Sequence, residues 1–189
     1  MPSIQVLIAK KFNNLQRPLQ VHIDRTTVLA SELAGIYGVD VDVCALAANS
    51  HDLFRSEPDF AQISAAEKYG IQIGKIEIKT PMLLHGPIAA AWLEQEGGVT
   101  DNRILDAVRW HTFGWPEMDV VGKVLFLADK LEPGKVNADP SLLPIRTMAD
   151  EEPDKALLAL LQKRSESQQE LGMEIHPNTL ALIEYLKSN

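Results

Sequence analysis

Apolar side chains return along this chain every three to four residues, the spacing that lays a stripe down one side of a helix. Between Leu19 and Tyr37, His22, Leu29, Leu33 and Ile36 fall on one face, and Gly38 is placed to end the helix. Asp40 stands as the N-cap of a second helix that turns Val41, Cys44, Ala45, Ala48 and Asp52 inward. Ser56-Glu57-Pro58-Asp59 opens a third, through Phe60, Ile63 and Ala66 to Gly70. Residues 71–78 alternate apolar and polar as a strand would, but a lone strand makes no sheet, so an extended connection is expected there. Gly86-Pro87 opens an alanine-rich helix ending at Gly97-Gly98. Thr100-Asp101 caps another through Ile104, Leu105 and Val108 to His111, and Phe113-Gly114-Trp115-Pro116 reads as a turn. The most apolar helix runs from about Asp119 to Leu131 and is stopped by Glu132-Pro133-Gly134. A later helix holds Leu157 to Leu161, and His176-Pro177-Asn178-Thr179 opens a short final one. The expected fold is all-α, with residues 1–16 an N-terminal appendage to one helical domain over residues 17–189.

Composition narrows the class of partner. With 46% hydrophobic and 23% charged residues in a length of 189, the chain can bury a substantial core and reads as one domain. A formal net charge of −8 removes the clustered surplus of Lys and Arg that nucleic-acid polymers and anionic membranes require. Cys44 is a single cysteine in an apolar setting, which suggests packing in a reducing compartment. The N-terminus has no basic region before its short apolar run, and no apolar stretch approaches the ~18 residues that span a bilayer. A cytoplasmic protein is expected.

The chemistry lies in where histidines and aspartates interrupt the apolar pattern. Four of the five histidines sit beside core-facing helical positions, and His51 is followed at once by Asp52. Each histidine alone reads as a satisfied core or surface residue; the set carries the signal. Asp129 interrupts Val124-Leu125-Phe126-Leu127-Ala128, where an unpaired carboxylate would cost several kcal/mol. A salt bridge to Lys130 is the plain reading, but adjacent helical residues point about 100° apart, so a metal is the better partner expected. Mixed imidazole and carboxylate donors suit divalent ions with open coordination, and a bridging carboxylate lets two share a site.

The series His22, His51-Asp52, Asp129 resembles the signature of the HD-domain metal-dependent phosphohydrolases. Leu83-Leu84-His85-Gly86-Pro87, Arg109-Trp110-His111-Thr112, Leu127-Ala128-Asp129-Lys130-Leu131-Glu132-Pro133-Gly134 and Ile175-His176-Pro177-Asn178-Thr179 resemble, in that order, the YqeK-like branch, the symmetrical bis(5′-nucleosyl)-tetraphosphatases. The likeness runs from about Arg17 to Leu186 and implies an HD-type helical bundle with a dinuclear site. It implies that His22, His51, Asp52 and Asp129 hold one ion and that His85, His111 and the shared Asp52 hold the second. Asp52 and Asp129 are then the catalytic carboxylates. The ions implied are transition metals, iron first, with Mn, Co, Ni and Zn compatible. Arg25, one turn after His22, with Lys130 and Arg146, matches family positions that could face phosphates. His176 is expected to start a helix rather than bind metal. In Leu53-Phe54-Arg55 the chain departs from the family, and Phe54 is expected to narrow the pocket.

The resemblance implies hydrolysis of diadenosine tetraphosphate and related dinucleoside polyphosphates at the central anhydride to two ADP, by metal-activated water, with a homodimer compatible. The alternatives are an HD phosphohydrolase acting on another nucleotide, and a non-catalytic metal- or nucleotide-binding module. The second is disfavoured, because a structural metal needs only one closed set of about four ligands.

Overall fold

The computed structural model describes residues 3–188, and among them no strand occurs. Twelve helices follow in order: α1 (Ile4–Asn13), α2 (Arg17–Tyr37), α3 (Val41–Ser50), α4 (Asp59–Lys68), α5 (Lys75–Lys79), α6 (His85–Gln95), α7 (Asn102–Trp110), α8 (Val120–Leu131), α9 (Pro133–Ala138), α10 (Leu143–Ala149), α11 (Pro153–Glu170) and α12 (Pro177–Ser188). The all-α expectation is borne out, and none of these helices is long and apolar enough to cross a membrane.

Local chemistry sets the helix ends. Gly38 takes the left-handed conformation at φ 67° and closes α2, a conformation that costs glycine little. Asp40, Asp101 and Asp119 cap α3, α7 and α8 by accepting from backbone N–H groups of the first turn.

α8 is the central helix, buried from Val121 through Leu131 apart from Lys123, as befits a helix apolar on nearly every side. α2, α3 and α7 pack on it, α6 packs on α7, and α11 closes one side with Leu157, Leu160 and Leu161 buried. Burial of side chains such as Leu125 and Leu127 contributes about 1.5–3 kcal/mol each, which offsets the cost of enclosing Asp129 in the same helix. α1 reaches this core through buried Ile8, and Lys11 places its ammonium 3.6 Å from the Phe54 ring centroid.

Several sequence expectations are corrected. Ile36 is 51% exposed although it shares a helical stripe with Leu29 and Leu33, because the covered face of α2 continues through Ala34 and Tyr37, whose hydroxyl donates to Ala149 O, and leaves Ile36 at its edge. Val41 and Phe60 are exposed, each lying in the first turn of its helix, where few elements pack. The alternating segment 71–78 is not extended throughout: after Gly74 the chain closes the short helix α5, with Ile78 N donating to Gly74 O at 3.0 Å. With no strand to pair with, local hydrogen bonding satisfies this backbone better than extension does.

Candidate metal centre

The helix ends converge on one buried cluster. His51 follows the last turn of α3, His85 begins α6, His111 follows α7, and Asp129 lies near the end of α8. His51, Asp52, His85, His111 and Asp129 are all buried, and His22 reaches them from the second turn of α2. Gly86 permits the approach of α6 to α7. A Cβ there would sit 2.9 Å from Val108 O and 3.1 Å from His111 Cε1, so only a hydrogen fits beside His85.

The donor atoms fall into two groups that share Asp52. His22, His51, Asp52 and Asp129 form one, and Asp52, His85 and His111 form the other. His22 Nε2 lies 3.0 Å from Asp129 Oδ1 and 3.5 Å from Asp52 Oδ2. His85 Nε2 lies 3.1 Å from Asp52 Oδ1, and His111 Nε2 lies 3.5 Å from the same oxygen. The second face of each ring is anchored. His51 Nδ1 donates to Ala48 O and His111 Nδ1 to Val108 O, both at 2.7 Å, and His85 Nδ1 donates to Met82 O. His22 Nδ1 instead donates to Glu132 Oε1 at 3.3 Å. These bonds orient the rings so that every Nε2 faces inward, where it can offer a lone pair to a metal ion once free of a proton.

Metal ions fit this arrangement. His51 Nε2 and Asp52 Oδ1 are buried without a hydrogen-bond partner, a costly condition that a cation relieves. Burial opposes the charge on Asp52, yet its histidine neighbours, His51 first, hold its pKa well below the usual carboxylate range. Asp129 is held low in the same way, chiefly by Lys130 against the opposing effect of burial. For His51, burial works against the charged form, but Asp52 and Asp129 outweigh it and raise the pKa to about 10. Burial takes His111 the other way, to about 4. Together the HD-type ligands indicate a divalent-metal site.

Lys130 corrects one expectation. Its long chain curls back so that Nζ pairs with Asp129 Oδ2 despite the angle between adjacent residues, and Nζ also donates to His111 O at 2.7 Å. The pair engages only Oδ2, leaving Oδ1 turned to His22 and 3.7 Å from His51.

His85, His111, Asp129 and Lys130 open onto a cavity of about 740 Å³, large enough for an extended nucleotide. The lining includes neither Arg25 nor Arg146. Arg25 lies on the outer side of His22, half exposed, 3.9 Å from Glu132 Oε2. Arg146 pairs with Asp150 at 2.5 Å and Glu32 at 3.8 Å, so the structure does not bring it to the cluster. Phe54 does not narrow the cavity: it packs edge-on against Trp92 on the side of α1. His176 accepts from Asn178 N at the start of α12 and stacks on Phe113 at 3.8 Å, apart from the ligand groups.

Three participants escape the sequence reading. Glu132, read as part of a helix stop, is buried beneath His22; its place three residues after Asp129 on the same helical side was the available signal. Arg55 donates to Asp52 Oδ2 at 2.8 Å and lines the cavity, a role consistent with its i+3 spacing from Asp52. Arg164 lines the cavity from α11, and nothing in that polar stretch marks it out.

Comparison with known proteins finds the same architecture. The HD domain family model matches residues 20–134. Over 161 residues the chain is 32% identical to a symmetrical bis(5′-nucleosyl)-tetraphosphatase of Bacillus subtilis, covering 84% of each. It is 33% identical over 154 residues to the protein of that description in Halalkalibacterium halodurans, covering 80% of each. A crystal structure from Clostridium acetobutylicum, described as a predicted HD superfamily hydrolase involved in NAD metabolism, superposes with a TM-score of 0.91 at 29% identity, covering 100% of this chain and 98% of that one.

Proposed function

From the premise that this chain belongs to the HD domain family, in the phosphohydrolase branch of the symmetrical bis(5′-nucleosyl)-tetraphosphatases, we propose that it hydrolyses diadenosine tetraphosphate and related dinucleoside polyphosphates at the central anhydride, giving two ADP. One observation carries this reading: a cluster of six imidazole and carboxylate ligands opens, through His85, His111 and Asp129, onto a cavity whose walls bring Arg55, Lys130 and Arg164 toward the same space. That combination suits an extended polyanion rather than a neutral substrate.

In this reading His22, His51, Asp52 and Asp129 hold one ion, and Asp52, His85 and His111 hold another. Iron is the first choice, and Mn, Co, Ni or Zn are compatible with the same ligands. Bound there, the ions supply Lewis acidity, which makes water a stronger nucleophile and neutralises phosphate oxygens. The protein's own part is positional. Backbone carbonyls and Glu132 aim the imidazoles, Asp52 is common to both groups, and Lys130 ties Asp129 to the carbonyl of His111. The cationic wall orients the phosphate chain. ADP leaves readily, so charge neutralisation matters more than a strong proton donor.

A second reading, hydrolysis of another dinucleotide, is favoured by the NAD-linked description of the Clostridium protein, since NAD also joins two nucleosides through an anhydride. Product chromatography separates the two. Metal-stripped protein resupplied with Fe, Mn, Co or Mg is given diadenosine tetraphosphate and NAD in parallel. ADP as sole nucleotide product, with one oxygen-18 from labelled water on the terminal phosphate of one ADP per turnover, is expected. ATP plus AMP, or cleavage of NAD alone, would remove the symmetrical assignment.

A further inference from the structure

Two guanidinium groups share the cavity wall with no carboxylate assigned to the second. Arg55 is anchored within the ligand cluster by Asp52. Arg164 comes from α11 and has no hydrogen bond or ion pair among the described residues. Its neighbours are treated differently: Lys163 on the same helix pairs with Asp139 at 3.3 Å, and Lys79 on another wall pairs with Glu174 at 3.2 Å.

Arg164 lines the cavity and is exposed there, so its guanidinium is free to meet a ligand. The charge of Arg55 acts against its own, and that of Asp129 supports it. Arg55, Lys130 and Arg164 thus line one space, where only Arg55 and Lys130 have acidic partners. Asp52 and Asp129 match two of these charges and leave the third for an anion that enters the cavity. A guanidinium offers a planar fork that matches two oxygens of a phosphate, which an ammonium does not.

We infer that Arg55 and Arg164 clamp the phosphate chain of the ligand from two walls, so that the site selects consecutive phosphates over a single one. This rests on the polyphosphate reading above and adds the residues and the chain-length preference. Arg55, fixed at Asp52, meets the phosphate nearest the ligand cluster. Arg164, on a separate element, meets a later one. An isolated phosphate engages the first contact and leaves the second unmade.

The test is a titration of metal-loaded protein with inorganic tripolyphosphate and with inorganic phosphate, metal content being checked afterwards. Arg164→Gln is expected to weaken tripolyphosphate binding about tenfold or more and phosphate binding by less than about twofold, with metal retained. Arg164→Lys should fall between wild type and Arg164→Gln, since it keeps charge and loses the fork. With diadenosine tetraphosphate, Arg164→Gln should raise KM by a similar factor while kcat changes less. Unchanged tripolyphosphate affinity in Arg164→Gln, or an equal loss for phosphate and tripolyphosphate, overturns the clamp. A clamp intact by titration in a protein that leaves diadenosine tetraphosphate uncut would overturn the proposed reaction alone.

Discussion

His85 and His111 bring their Nε2 atoms to 2.9 Å of each other while each Nδ1 donates to a carbonyl three residues earlier in the chain. With both Nδ1 atoms protonated, two lone pairs face each other beside Asp52. A proton between them would relieve this, but burial has pushed His111 to about 4, so near neutrality a cation is the better bridge.

His111→Ala should therefore lose mainly one of two bound ions, whereas Asp52→Ala should lose both and lower turnover by about 10³-fold or more. Elemental analysis of the purified variants checks this. Full and equal metal content in both would defeat the shared-ligand assignment.

Metal uptake should release protons. The folded, metal-free protein holds a proton on His51 up to about pH 10, above its ordinary 6.5. Stability from that protonated imidazole is fully present below 6.5 and fades as pH rises through about 10. A metal ion competes for the same Nε2, so affinity should climb with pH over that window, with about one proton released per loaded cluster near neutrality. Calorimetry in buffers of differing ionisation enthalpy measures the release, and buffer-independent heats would contradict it.

Glu132→Gln keeps the shape beneath His22 but removes the negative charge. It is expected to weaken metal binding about 10–100-fold while moving Tm little. Competition against a chelator reads the affinity, and an unchanged value would reduce Glu132 to a cap for Gly134, whose N–H it accepts at 2.6 Å.

Gly86→Ala should cost about 1–3 kcal/mol of stability, because the added methyl meets the carbonyls of Val108 and Arg109. Thermal unfolding would show it, together with a loss of metal confined to the His85–His111 side. A variant as stable as wild type would mean that α6 can shift freely.

Arg146→Ala is expected to leave kcat/KM within about twofold of wild type, since its guanidinium is already engaged by Asp150 and Glu32. Lys130→Met should lower it far more, by freeing Asp129 Oδ2 and the carbonyl of His111. Parallel steady-state assays decide between them.

What the sequence discloses and conceals follows from range. The cluster is legible because each ligand breaks an apolar helical pattern: Asp129 in the stretch from Val124 to Ala128 could not be buried without compensation. α2 and α8 are legible for the same reason, their stripes being long. Arg146 and Arg164 look alike in sequence, both on helices with polar neighbours, yet one turns to Asp150 and the other into the cavity. That difference depends on how α10 and α11 dock, which no local pattern encodes. Ile36 and Phe60 mislead similarly, since periodicity gives a face without saying how far its covering extends.

The anchoring of the four imidazoles leaves the site unevenly open to change. Three rings are steered by main-chain oxygens of Ala48, Met82 and Val108, which no side-chain substitution can delete. Only His22 leans on a replaceable group, the carboxylate of Glu132. Variation that adjusts metal preference without dismantling the helices has one accessible handle, and it lies at the corner where α2 meets the end of α8.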